Sequence, residues 1–219
     1  MKIVKEDVVT KALELLDEAG LEGLTMRKLA DALKIQAPSL YWHFANKSEL
    51  LDGMADALLE NVGRGVSQDQ PWEGRLCQIA GELRQALLSR RDASRVFAGT
   101  YPISGNILRV GSLIHDCLLN AGMDERRTSW SVFILSHYVI GFSIEEQALM
   151  NVPEELRQGR DNGANDLLAR FPSAAISVRG IGPDNADERF AFGLQILIGG
   201  WKSLSNSNSD QIKSSSRIR

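Results

Sequence analysis

The chain has 219 residues, 43% hydrophobic and 24% charged, enough for one small and one medium domain with buried cores. A net charge of −3 and a pI of about 5.7 argue against a nonspecific nucleic-acid coat protein. Two cysteines are too few for a disulfide scaffold, and we find neither an apolar signal segment nor a run of about 18 apolar residues. We therefore expect a cytoplasmic protein that is not membrane-bound.

A helical period of apolar residues runs along most of the chain, and no strand-like alternation competes with it. The first amphipathic helix is expected to end at Gly20. After a break at 63–71, helical patterns follow near 72–90, 104–121, 125–150, 165–171 and 187–204. The polar stretch 151–165 predicts a loop, and residues 205–219 predict a disordered tail. The fold class is therefore all-α.

Residues 21–47 predict two short helices joined by a tight turn. Thr25 is a good N-cap for the first helix, and residues 34–36 form the turn. Pro38 suits the first turn of a second helix over 38–43, because proline lacks only an N–H that has no partner there. Such a pair is typical of a helix-turn-helix, whose second helix enters the major groove of DNA.

The second helix carries side chains suited to reading bases, and its surroundings are locally basic. Within 23–47 four basic residues stand against a single acidic one, whereas the first 22 residues have the opposite balance. A basic cluster alone is often just a solvated face. Combined with the helix-turn-helix pattern, it predicts a surface that faces phosphates.

The predicted domains follow from the next helix start. Asn46 with Glu49 forms the pattern of a capping box, which opens a long helix. We divide the chain into a helix-turn-helix domain over 1–47, a helical domain over 48–204 with a linker helix over 48–63, and the tail over 205–219.

The stretches ALELLDEAGLEGLTMRKLADAL at 12–33 and PSLYWHFANKSELLDGMADAL at 38–58 resemble the TetR family of one-component bacterial repressors, and in particular its tetracycline-repressor subgroup. Shorter pieces at 91–102, 136–147 and 190–201 match in the same order. The resemblance implies an N-terminal three-helix DNA-binding domain and a C-terminal helical domain that binds a ligand and dimerises. It also implies a ligand-responsive repressor rather than an enzyme.

The resemblance assigns base and phosphate contacts residue by residue. Arg27 and Ser39 match contact positions of the family, Lys47 matches its phosphate clamp, and Ala37 replaces a glutamine that family members use on adenine. We therefore expect a palindromic operator different from the tetracycline operator, bound by a homodimer. The predicted DNA-binding residues are Thr25, Arg27, Ala37, Pro38, Ser39, Tyr41, Trp42, His43 and Lys47.

The helices at 125–150 and 187–204 are the expected dimer surface, because they hold more apolar residues than one covered face requires. Ordinary core packing is the alternative. The residues singled out are Phe133, Val139, Ile140, Phe142, Phe190, Phe192, Leu194, Leu197 and Ile198, with Gly141, Gly193, Gly199 and Gly200 allowing close helix approach.

The ligand site of the resembling proteins holds a drug–magnesium chelate through a histidine, and that position is Phe97 here. Other polar drug contacts fall at Tyr101 and near Leu113 and Ile79. We therefore expect a small, largely hydrophobic or aromatic inducer, without metal or cofactor. The turn at 99–102 is expected to move the helix after Asn46 when ligand binds. The predicted ligand-binding residues are Ile79, Leu83, Phe97, Thr100, Tyr101, Pro102, Leu113, Phe133, His137, Phe142 and Glu145.

His137 and Glu145 cannot share a metal ion within one subunit, because eight helical residues separate them by roughly 12 Å along the axis. No catalytic constellation is present in the sequence. Two alternatives stay open: an all-α small-molecule carrier or enzyme that uses the C-terminal pocket, and a DNA-binding factor that responds to no ligand.

Overall fold

The computed structural model describes residues 3–100, 103–150, 152, 156, 164 and 167–215, and within these ranges the chain is helical without strands. The all-α prediction is confirmed. The helices are α1 Lys5–Gly23, α2 Met26–Ala32, α3 Ala37–Tyr41, α4 Lys47–Leu58, α5 Trp72–Leu88, α6 Ala93–Ala98, α7 Gly105–Asn120, α8 Glu125–Met150, α9 Pro172–Arg179 and α10 Ala186–Ser215, with a 3₁₀ turn at Pro183–Asn185.

The two predicted helix caps are present. The side chain of Thr25 accepts a hydrogen bond from the N–H of Lys28 at 3.2 Å. That of Asn46 accepts one from the N–H of Glu49 at 2.9 Å, and the Glu49 carboxylate reaches back to the N–H of Ala45. Each cap satisfies a backbone donor that the first turn of a helix leaves free. The starts of α2 and α4 are thus set by these local bonds.

The turn between α2 and α3 is closed by backbone bonds that terminate α2. The N–H of Lys34 donates to the carbonyl of Asp31, and that of Ile35 donates to the carbonyl of Ala30, both at 3.1 Å. This is the Schellman pattern, which requires a left-handed residue at its centre. Lys34 takes that role with a φ of 55°, a conformation in which glycine is less strained.

The C-terminal half differs from prediction at four places. α4 ends at Leu58 rather than near residue 63, and α6 and α9 were not predicted. α10 continues to Ser215, into the range for which a disordered tail is predicted, while 216–219 lie outside the described residues. Adding residues to an existing helix needs no new nucleus, and this lets a polar sequence continue it.

Two hydrophobic cores share helix α6. Val96 is fully buried in the core formed by α1–α4, which we call the head core. The next residue, Phe97, packs against the core of α5, α7, α8 and α10, the body core. Leu50 and Met54 of α4 also lie in the head core. A displacement of α6 therefore disturbs both cores, because close-packed interiors transmit strain.

Polar bonds fasten α6 to the end of α1. The N–H of Leu21 donates to the carboxylate of Asp92 at 2.9 Å, while Arg90 pairs with Asp17 and Arg95 with Glu22. Here α1 bends at Gly20, whose φ is 68°. A β-carbon at that position would lie 2.9 Å from the Asp92 carboxylate. Glycine therefore permits this close approach.

A second set of bonds fastens α4 to α7. The carboxylate of Asp56 accepts bonds from the N–H of Asn106 at 2.7 Å and from the hydroxyl of Ser104, so it caps the start of α7. Arg109 donates to the carbonyls of Leu59 and Val62 at 2.8 and 2.7 Å. These carbonyls lie just beyond the last turn of α4. The end of α4 and the start of α7 are thus tied by two sets of bonds.

Candidate DNA-binding surface and ligand cavity

Helix α3 stands on the head core and presents an exposed face. Leu40 is fully buried and anchors it, as does Phe44 just after its end. Trp42 is 90% exposed and Tyr41 49% exposed, although large aromatic side chains are usually covered. The predicted contacts Ala37, Pro38 and Ser39 are also exposed. This arrangement leaves bulky rings and a hydroxyl free to meet base edges.

The four basic residues of 23–47 lie on α2, in the turn before α3 and at the start of α4. Arg27, Lys28 and Lys34 are exposed, whereas Lys47 is half-buried and its Nζ donates to the carbonyl of Leu21 at 3.2 Å. An ammonium group has three donors, so that bond leaves two for a phosphate. Two predicted contacts remain: His43 is half-buried just after the end of α3, and Thr25 is exposed at the N-cap of α2.

A cavity of about 810 Å³ lies in the body, between α5, α6, α7 and α8. Five of the predicted ligand residues line it: Leu83, Phe97, Thr100, Phe133 and His137. Its size is ample for a drug-sized molecule. Tyr101 and Pro102 lie outside the described residues.

Four predicted ligand residues lie elsewhere. Ile79 is fully buried in the body core. Leu113 packs on that core, and its side chain would meet a β-carbon placed on Gly63. Phe142 belongs to an aromatic cluster, and Glu145 is exposed on another face of α8. The helical period separates the last two from the side of α8 that carries Phe133 and His137.

Sequence reasoning missed most of the wall that α7 contributes. The missed lining residues are Leu59, Ala98, Ile107, Leu108, Val110, Gly111, Ser112, Ile114, His115, Asp116, Ser129, Val132, Ser136 and Ile140. Ser129, Ser136 and Ile140 of α8 lie one helical turn from Phe133 or His137, and Val132 lies one turn from Ser136, so helical spacing could have found them. On α7, Ile107, Val110 and Ile114 also pack the body core, so spacing does not separate the two roles, whereas Ser112, His115 and Asp116 are polar.

The cavity lacks a cluster of metal ligands. His115 Nδ1 lies 4.0 Å from the Asp116 carboxylate, yet no group of three His, Cys, Asp or Glu side chains among the described residues could hold an ion. Nor is any described helix long and apolar enough to cross a bilayer.

Helices α8 and α10 both carry exposed apolar side chains, which together we call the exposed apolar side. They are Trp130, Phe133 and Ile134 on α8, and Phe192, Ile196 and Leu204 on α10. Of the residues expected at a dimer surface, Val139, Phe190 and Leu194 instead lie in the body core. Gly193 likewise serves an internal contact, since a β-carbon there would clash with Tyr138.

An aromatic cluster joins α8 to α10. The rings of Tyr138 and Phe190 stack with centroids 5.4 Å apart, and Phe142 meets Phe190 edge-on at 5.2 Å. The hydroxyl of Tyr138 donates to the carbonyl of Phe190 at 2.7 Å. Burial raises the pKa of that hydroxyl, because the charged form would lose its hydration. The cluster fixes the relative position of the two helices.

Comparison with known proteins matches both halves of the chain. Residues 8–54 match the family model "Bacterial regulatory proteins, tetR family", and residues 66–204 match "Tetracyclin repressor-like, C-terminal domain". The chain is 36% identical to tetracycline repressor protein class C of Escherichia coli over 214 residues, or 95% of each chain.

Solved structures of similar proteins show the same family resemblance. A possible TetR family transcriptional regulator from Streptomyces coelicolor A3(2) superposes with a TM-score of 0.81 at 33% identity, covering 92% of this chain and 100% of that one. A TetR variant from Acinetobacter baumannii AYE, in complex with minocycline, superposes with a TM-score of 0.73 at 34% identity, covering 93% and 99%.

Proposed function

Because the chain belongs to the TetR family of bacterial regulatory proteins, we propose that it represses transcription by binding a palindromic operator as a homodimer. A small, largely hydrophobic or aromatic molecule in the cavity then releases it. The observation that most supports this proposal is that one chain holds both the exposed α3 face and the cavity, and that α6 and α7 connect the two.

Dimerisation is supported by the exposed apolar side of α8 and α10. Two α3 helices must enter successive major grooves about 34 Å apart, which requires two copies. Exposed apolar patches of this kind mark protein contacts. We expect Phe192→Asp to convert the protein to monomers in sedimentation experiments. The matched variant Ile103→Asp, on an exposed apolar residue outside that side, should stay dimeric. A dimeric Phe192→Asp protein would contradict the assignment.

Coupling between the two sites is supported by the ties of α6 and α7. Phe97 lines the cavity while its neighbour Val96 is buried in the head core. α7 forms a cavity wall and is bound to α4 through Asp56 and Arg109. A ligand that shifts either helix should move α4 and change the separation of the two recognition helices. Reciprocity then requires operator DNA to weaken ligand binding by the same factor.

The direct test is fluorescence anisotropy with labelled DNA from upstream of the gene. We expect salt-dependent binding that small apolar aromatic compounds reverse. Trp42→Ala should abolish sequence-specific binding without unfolding, and Ile103→Ala serves as the matched exposed control. Ligand binding without DNA binding would favour the carrier or enzyme. DNA binding that no cavity ligand reverses would favour the ligand-independent factor.

A further inference from the structure

The cavity is lined by a carboxylate and two imidazoles but by no ammonium or guanidinium group. Among the described lining residues there is neither lysine nor arginine, Asp116 is the single carboxylate, and His115 and His137 are the two histidines. A ligand carboxylate would therefore lose hydration without gaining an ion pair there, which is costly. A ligand cation would instead meet an opposite charge. The net charge of −3 on the chain adds attraction for a cation at longer range.

Three of the four hydroxyl groups in the cavity lining already donate their proton within the protein, the fourth being that of Ser112. Thr100, Ser129 and Ser136 each donate their hydroxyl proton to a carbonyl of their own segment, at 2.7, 2.9 and 2.9 Å. A hydroxyl has one proton and two lone pairs. While these bonds persist, the three groups face the cavity as acceptors alone. They complement a ligand that brings donors of its own.

The polar and apolar lining residues occupy different depths. Leu83, Val110 and Ile114 are buried at the floor, whereas Asp116 is exposed, with 64% of its side-chain surface accessible. Ser129 is exposed as well. An elongated ligand can therefore place an apolar body on the floor and a charged end at the mouth. Phe97 and Phe133 add ring faces that attract a cation.

We propose that the inducer is an organic cation with hydrogen-bond donors, such as an aryl-alkyl amine or amidine, whose ammonium end lies by Asp116 and whose apolar body fills the cavity. This proposal rests on the proposed function, since it names the chemical class of the molecule that releases DNA. It differs from a neutral hydrophobic ligand in requiring both charge and donors.

A series of probes with one apolar body separates these requirements. We would titrate the full-length protein by calorimetry with 2-(1-naphthyl)ethylamine, the matching alcohol, the matching carboxylic acid and the N-trimethylated amine. The expected order is amine tightest, trimethylated amine and alcohol weaker, and acid weakest, with about tenfold or more between the amine and the acid. The trimethylated probe keeps the charge but has no donors, so its loss of affinity reports the acceptor groups.

Two variants locate the effect. Asp116→Asn should weaken the amine about two- to fivefold, the range for an exposed ion pair, and leave the alcohol unchanged. Ser129→Ala should weaken the amine more than the trimethylated probe. Asp69→Asn makes the same charge change outside the cavity and should alter nothing. Thermal unfolding of each variant would reveal any structural damage.

The results have separate meanings for the two proposals. The ligand class is overturned if the acid or the alcohol binds as tightly as the amine, if Asp116→Asn leaves amine affinity unchanged, or if the amine does not bind. The repressor function is tested independently by adding each bound probe to the protein–DNA complex. A neutral probe that binds and releases DNA would refute the cationic class while supporting the function.

Discussion

Replacing Arg84 by methionine should destabilise the body of the protein strongly, because it would leave a buried carboxylate unpaired. Arg84 and Glu146 are 5% and 8% exposed, and both Glu146 oxygens accept bonds from the guanidinium at 2.6 and 2.7 Å. A third bond, at 2.7 Å, reaches Asp187 at the start of α10. One side chain of α5 thus holds both helices of the exposed apolar side.

The loss of unfolding free energy in Arg84→Met depends on which carboxylate is left without a partner. Removing one member of a buried ion pair typically costs about 3–5 kcal/mol, since the other charge stays without a partner. Asp187 is 91% exposed at its side chain, so water replaces its bond and its share is about 1 kcal/mol or less. Arg84→Met with Glu146→Leu removes both charges, and the double variant should lie within about 2 kcal/mol of the wild type.

Urea unfolding followed by circular dichroism measures these differences, at several protein concentrations because a dimer's stability depends on them. The control is Lys202→Met, which breaks an exposed ion pair of α10 with Glu73 on α5 and should cost about 1 kcal/mol or less. A cost below about 1 kcal/mol for Arg84→Met would refute the reasoning. So would a double variant as unstable as the single one.

Three further predictions concern DNA and ligand. Lys47→Ala should weaken binding to all DNA sequences alike in anisotropy titrations. Arg27→Ala should instead reduce the binding free energy for the operator selectively, by about 1–3 kcal/mol. Tight binding to an unmodified tetracycline operator would contradict the expected base contacts. EDTA should leave induction intact, because Phe97 occupies the position where the family resemblance implies a metal-binding histidine. Calorimetry in which chelation abolishes ligand affinity would show the reverse. Thr100→Val should weaken induction but keep operator affinity within about 1 kcal/mol, because Thr100 lines the cavity and lies outside the helix-turn-helix. Equal ligand affinities with and without operator would show that the sites are uncoupled.

Local sequence signals predicted the head well because its geometry depends on short-range chemistry. Thr25 and Asn46 cap their helices through bonds to residues three positions later, and a proline marks the start of α3. The left-handed Lys34 was not foreseen, since its φ is imposed by the Schellman bonds that end α2 rather than by any preference of lysine.

The body was less predictable because its apolar residues have several possible partners. Val139 and Leu194 are as apolar as the exposed Phe192, and only the packing of α8 on α10 decides which face the core. α6 escaped notice because it is six residues long, too short for a clear period, and follows Asp92 in a left-handed conformation. Asp92 is held there by its bond to Leu21, a contact across 71 positions.

The same long-range contacts explain how a cavity can act on a distant recognition helix. Asp56 caps α7 and Arg109 binds the carbonyls beyond α4, so neither helix can shift far without breaking charge-assisted bonds. Breaking such bonds typically costs about 1.5–3 kcal/mol each, comparable with the 1–3 kcal/mol of a typical coupling between two sites. Moving α4 together with α7 therefore costs less than sliding them apart. A ligand that displaces α7 should therefore also displace α4 and the DNA-binding domain. We expect Asp56→Ala to reduce the effect of ligand on DNA affinity more than it reduces ligand binding itself.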